Sequence, residues 1–135
     1  MIAIAMLLLA VLGISLNLAF AGVLMQPDWA LALLLASLLA HRRNWVWVLP
    51  AVLMHDVIFY GSFNINSIIM GILPLGMIYL DQHLGAGLPQ RLMLMLTVVL
   101  GLLWPGWSVS ACLLTLCLCI PIWHLLTRQY AQQTV

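Results

Sequence analysis

The sequence predicts an all-α integral membrane protein, with about six transmembrane helices in one compact bundle that forms a single domain over 1–135. Three observations carry this expectation. The chain is 66% hydrophobic and 5% charged and has no lysine, whereas a water-soluble fold needs a charged shell of roughly a quarter of its residues. Polar and Pro/Gly punctuation divides it into six apolar runs, about 2–25, 28–41, 45–60, 65–82, 90–105 and 107–126. Every connection is short, which leaves no room for a separate soluble unit.

In the first run, Gly13, Asn17 and Ala21 recur every four residues and make one face that is small, polar and small. Such a stripe lets another helix approach closely and take a side-chain hydrogen bond. The run has an Ala-x-Ala-like ending at Ala19 and Ala21. It lacks a basic lead and is longer than the apolar core of a signal peptide, so a retained helix is expected. The second run opens at Pro27 and Asp28, which suit a helix start: proline fits the first turn and a carboxylate accepts its free N–H groups. A partner contact on the outer face is the competing role for Asp28. The third run carries His55 and Asp56 toward its far end, and the fourth carries Gly71, Pro74 and Gly76, which predict a bend or freed carbonyls. The sixth holds Cys112, Cys117 and Cys119, where thiols act as small hydrophobes, and neither a disulfide nor a metal site is expected. A span needs about 20 residues to cross about 30 Å, a length that only the first and last runs reach comfortably. The four middle runs cross if flanking Trp, His and Arg sit in the headgroup zone, with re-entrant segments as the alternative.

Orientation follows from the arginines. If the N-terminus is cytoplasmic, "HRRN" (41–44), "DQHLGAGLPQR" (81–91) and "LLTRQY" (125–130) face the cytoplasm and hold all four, while "QPDW", "GSFNIN" and "WPGW" hold none. This is the positive-inside asymmetry, and it predicts a multi-pass protein with both termini cytoplasmic.

His55 and Asp56 are neighbours, so on a helix they point about 100° apart, and no catalytic dyad or metal-ligand pair is expected of them. An ionisable residue at membrane depth is a functional or packing candidate, and Asp56 is expected to act as hydrogen-bonding glue between helices. A partner or ligand contact, or snorkelling, are the alternatives. His41, His83 and His124 fall at expected cytoplasmic helix ends as interface residues, and Trp29, Trp45, Trp47, Trp104, Trp107 and Trp123 form an aromatic belt. Ser62, Ser67, Ser108 and Ser110 stand in no nucleophile motif, so the chain is expected to be no enzyme, with no catalytic residue and no cofactor. A net charge of +1 without a basic patch excludes nucleic acid as a partner and leaves the lipid bilayer.

Two segments carry a family resemblance. The first is "QPDWALALLLASLLAHRRN", a Pro-Asp opening followed by an apolar helix and a short basic turn; the second is "VLPAVLMHDVIFYGSFNINSI", a helix ending in an aspartate before a Gly/Ser turn. Their order and spacing resemble the rod shape-determining protein MreD family of bacterial inner membranes, over about 26–70. On that match Asp56 takes the place of the family's aspartate, and Phe63, Asn64, Ile65 and Ser67 follow at the expected offsets. The chain departs from the pattern at Val52, which replaces a helical glycine, and at Gly61, shifted by one. The resemblance implies a non-catalytic scaffold subunit of the cell-elongation machinery in the inner (cytoplasmic) membrane, supporting peptidoglycan synthesis. Its implied partners are an MreC-like membrane protein, the peptidoglycan synthase complex and the actin-like MreB. It also implies a fold similar to the substrate-binding subunits of energy-coupling-factor transporters. That similarity supplies the rival reading, a vitamin-type small-molecule-binding subunit of a membrane transporter. The polar residues expected to organise a partner surface or the packing are Asn17, Pro27, Asp28, Asp56, Asn64 and Asn66.

Overall fold

A short helix that is apolar on every side must sit inside a bundle, and the 12-residue helix after Asp28 does so. The computed structural model describes residues 2–22, 26–62, 65–85, 87–104 and 106–133, with Asn66 described through its backbone alone. The helices are α1 (Ile2–Ala19), α2 (Trp29–Ala40), α3 (Trp45–Tyr60), α4 (Ile65–His83), α5 (Leu88–Gly101) and α6 (Val109–Gln133), with a 3-10 turn at Arg42–Asn44. Among the described residues there is no strand.

The central element is α2. It packs against α1, α3 and α6 and touches α4, while α5 lies between α4 and α6. Leu31, Leu34, Leu35, Leu38 and Leu39 of α2 are all buried, and Val48, Val52, Met70, Met77, Met95 and Val98 fill the space around them. Close approach of α1 depends on Gly13, where a Cβ would come within 2.8 Å of the Trp29 Cβ and 2.9 Å of the Ala30 nitrogen.

Two helices, α1 and α6, are long and apolar enough to cross a membrane. Only 17% of the α1 window is buried, so Ile4, Leu8, Val11 and Leu12 face outward. Ile68, Ile72, Leu75 and Tyr79 on α4 and Leu113 and Leu125 on α6 are likewise exposed. An apolar exterior around a core that holds buried polar side chains points to membrane association.

Helix boundaries depart most from expectation at three helix ends. α1 ends at Ala19 rather than 25, because Gly22, at φ 76, turns the chain back toward α2; residues 23–25 lie outside the described residues. α5 ends at Gly101 and is followed by turns over 102–104, short of 105. α6 continues to Gln133 rather than 126, since its polar end is anchored when the Tyr130 hydroxyl donates to Asn44 Oδ1 at 3.2 Å. At Gly71, Pro74 and Gly76, where a bend or freed carbonyls are expected, α4 continues as one helix through Pro74, as α3 and α6 continue through Pro50 and Pro121. Gly76 faces α5, with Leu94 at an ordinary contact distance of 3.5 Å from the place of a Cβ. Beside it, α4 and α5 enclose an open apolar hollow of about 270 Å³.

Candidate functional site

The start of α2 is built by three side chains from elsewhere in the chain and one of its own. Asp28 caps the helix and accepts from the Leu31 N–H at 3.1 Å, which satisfies one of the free donors of the first turn. Its backbone N–H donates to Thr115 Oγ1 on α6 at 3.0 Å, and the Thr115 hydroxyl donates in turn to Ala111 O at 2.8 Å. From α1, Asn17 Nδ2 donates to the Pro27 carbonyl at 2.8 Å and Asn17 Oδ1 accepts from the Trp29 N–H at 3.3 Å. Gln26 closes the arrangement, donating to the Asn17 carbonyl at 3.0 Å. Pro27, Asp28, Asn17 and Thr115 are all buried. Of the small-polar-small stripe, Gly13 and Asn17 pack against α2, whereas Ala21 lies beyond the helix end and is exposed.

His55 and Asp56, of which neither a catalytic dyad nor a metal-ligand pair is expected, do meet side chain to side chain. His55 Nδ1 lies 2.9 Å from Asp56 Oδ1. The 100° divergence applies to the Cβ directions; both side chains are long enough to turn back toward each other when a third group holds the ring. That group is Asp28, whose two carboxylate oxygens lie 3.0 and 2.9 Å from His55 Nε2. On the far side, Ser67 of α4 donates its hydroxyl to Asp56 Oδ2. A polar chain Asp28–His55–Asp56–Ser67 thus joins α2, α3 and α4, and Thr115 extends it to α6. Asp28, His55 and Asp56 have no exposed surface.

Aromatic rings cover the cluster. The Phe59 ring centroid is 4.7 Å from that of His55, and Phe59 and Trp107 meet at 6.3 Å. Trp107, expected as a belt anchor, donates its Nε1–H to the Tyr60 hydroxyl at 2.6 Å. Beside them is an open groove of about 310 Å³ whose lining includes Asn17, Gln26, Phe59, Trp107 and Ser108. The polar members of that lining are engaged elsewhere: Gln26 Oε1 accepts from Trp29 Nε1 at 3.4 Å and Ser108 Oγ accepts from the Ala111 N–H at 3.2 Å.

The opposite ends of these helices carry a second set of polar contacts. Asn44 Nδ2 donates to the Ser37 carbonyl at 2.8 Å and to the Tyr130 hydroxyl at 2.9 Å, tying the α2–α3 turn to α6. Arg91, itself buried, reaches both oxygens of Asp81, at 3.0 and 3.2 Å. Arg42, Arg43 and Arg128 are exposed.

Asn64 and the side chain of Asn66 lie outside the described residues, as does Phe63. Among the described residues, no group of three His, Cys, Asp or Glu is disposed to hold a metal ion; the His55 ring itself fills the space between the two carboxylates. Cys112 and Cys119 are buried, Cys117 is exposed, and all three are free thiols. Sequence reasoning did not single out Thr115, and it named His55 and Ser67 without placing them among the residues expected to organise the packing. The signal for Thr115 and Ser67 was available in one respect, since hydroxyl side chains within apolar helices are standard interhelical donors. No family model, curated protein or solved structure matches the chain.

Proposed function

We propose that the protein is a non-catalytic scaffold of the bacterial cell-elongation machinery: a six-span inner-membrane subunit related to MreD that binds an MreC-like membrane protein. The observation that carries the reading is where the two resemblance-bearing segments meet. Asp28 of the first and His55, Asp56 and Ser67 of the second form one continuous buried polar chain. The same residues that resemble the family therefore also set the relative positions of four helices.

A scaffold in lipid needs a fixed shape and an apolar exterior, because recognition there depends on close packing and a few polar contacts. Both are present in the polar lock and in the outward faces of α1 and α4. In this reading all six helices cross, the connections that hold Arg42, Arg43, Arg91 and Arg128 face the cytoplasm, and the Phe59–Trp107 groove opens on the outer side. The vitamin-binding reading is less well supported, because a ligand pocket needs convergent polar groups free to receive a ligand. Here Asn17 and Gln26 are committed to backbone and to each other's neighbourhood, and Asp56 is closed off by His55 and Ser67.

The test is complementation and co-purification in a rod-shaped bacterium lacking its own MreD-type protein. The wild-type chain is expected to restore rods and to co-purify with the MreC-like protein, and Asp56→Leu to weaken both. Failure of the correctly inserted wild-type chain to do either overturns the proposal. A thermal-shift screen against vitamins tests the rival, since a bound ligand stabilises the folded state.

A further inference from the structure

We infer that Asp28, His55 and Asp56 form a proton-binding site whose bound proton is a structural component, locking the start of α2 to the end of α3 and releasing it when the proton leaves. The inference rests on counting hydrogens in the geometry. A neutral imidazole has one N–H and one bare nitrogen. His55 offers one nitrogen to each carboxylate: Nδ1 at 2.9 Å from Asp56, and Nε2 at 2.9 and 3.0 Å from the two oxygens of Asp28. With a single proton in the trio, a nitrogen lone pair would face carboxylate oxygen at hydrogen-bonding distance. In a site without exposed surface such a contact is repulsive and unscreened. Both contacts become attractive only when the three groups hold two protons. These sit either as an imidazolium between two carboxylates or as a neutral imidazole with one carboxylic acid.

Both arrangements leave the trio with one net negative charge, and the surroundings accommodate one but not two. Asp28 sits at the positive end of the α2 dipole and accepts the Leu31 N–H. Ser67 from α4 donates to Asp56. Among the described residues, the groups around the trio include Asn17 from α1, Thr115 from α6, and Phe59 and Tyr60 from α3, none of which is a cation. Arg42, Arg43, Arg91 and Arg128 stand in or beside the opposite connections, so no arginine replaces a departing proton. Loss of the second proton therefore sets a lone pair against a carboxylate and frees α2 from α3. Phe59, whose ring meets that of His55 at a tilt and lines the groove, moves with it.

With the second proton in place both contacts hold and without it one of them fails, so the lock is expected to weaken as pH rises. This inference holds whether or not the partner is MreC-like. A chain with His41→Gln, His83→Gln and His124→Gln keeps His55 as its sole imidazole and leaves the site intact. In lipid nanodiscs near about pH 8, where a free imidazole is neutral, nitrogen NMR of that chain is expected to show two protonated ring nitrogens. One protonated nitrogen together with a carboxylic-acid infrared band that disappears in Asp28→Asn or Asp56→Asn supports the same site. The melting temperature is expected to drop as the pH is raised above neutrality, and His55→Gln to lose that slope. A neutral imidazole with no carboxylic-acid band in the folded protein overturns the inference, as does a melting temperature independent of pH in the chain with His55 alone. Should His55→Gln not fold, the spectra of the intact site decide.

Discussion

Asp28 does two jobs with one carboxylate. Oδ1 caps α2 through Leu31, and both oxygens hold His55. Asp28→Ala removes a helix cap, about 1 kcal/mol, and strips the buried imidazole of one of its two carboxylate partners, which for a broken buried pair costs about 3–5 kcal/mol. Asp28→Asn keeps the cap acceptor and is expected to fall between that variant and the wild type when unfolding is followed in detergent. Gly13 offers a test of a different kind. A Cβ there meets the Trp29 Cβ at 2.8 Å, whereas a Cβ at Gly71 meets nothing within 4 Å. Gly13→Ala should destabilise by about 1–3 kcal/mol and Gly71→Ala by far less, measured in the same unfolding assay; equal effects would remove close α1–α2 approach from the account. At this scale the sequence was partly legible. Pro27–Asp28 declared a helix start by residue type alone. What the carboxylate also binds was hidden, because His55 lies 27 positions away and nothing local reports such a contact.

Between elements, single polar contacts set which helices meet. Thr115 ties α6 to the start of α2, so Thr115→Val, which keeps the shape and removes the hydroxyl, is expected to cost about 0.6–1 kcal/mol. The Asn44–Tyr130 contact should couple similarly. A double-mutant cycle with Asn44→Ala and Tyr130→Phe is expected to give a nonzero interaction energy. Additive effects would show that the tail of α6 is held by packing alone. Element boundaries were legible where punctuation is chemical: α3 spans 45–60 as expected, between the Arg-Asn turn and Gly61, whose left-handed conformation (φ 72) caps it. They were not legible where apolar residues continue past a turn, as after Ala19. The polar tail of α6 failed in the opposite sense, since a long-range hydroxyl contact kept helical a segment whose composition suggested an end.

For the whole molecule, the six-span reading makes a labelling prediction. In a chain with Cys112→Ala, Cys117→Ala and Cys119→Ala, a cysteine at Ser62 should react with a membrane-impermeant thiol reagent in intact spheroplasts. One at Arg42 should react only after permeabilisation. Reversed labelling would overturn the orientation, and labelling of both from one side would remove the crossing of α3.

The central position of α2 bears on how such a protein is made. A 12-residue helix rises roughly 18 Å, well under the about 30 Å of a bilayer's hydrocarbon, and its first residue already depends on Asn17 behind it and Thr115 far ahead. Inserted by itself during synthesis it would have neither the length to be retained nor partners for its first-turn donors. In the six-span reading, entry of α2 is therefore tied to α1, which is long enough to anchor and brings Asn17 with it. Its final seating waits for α6, which emerges from the ribosome well after it.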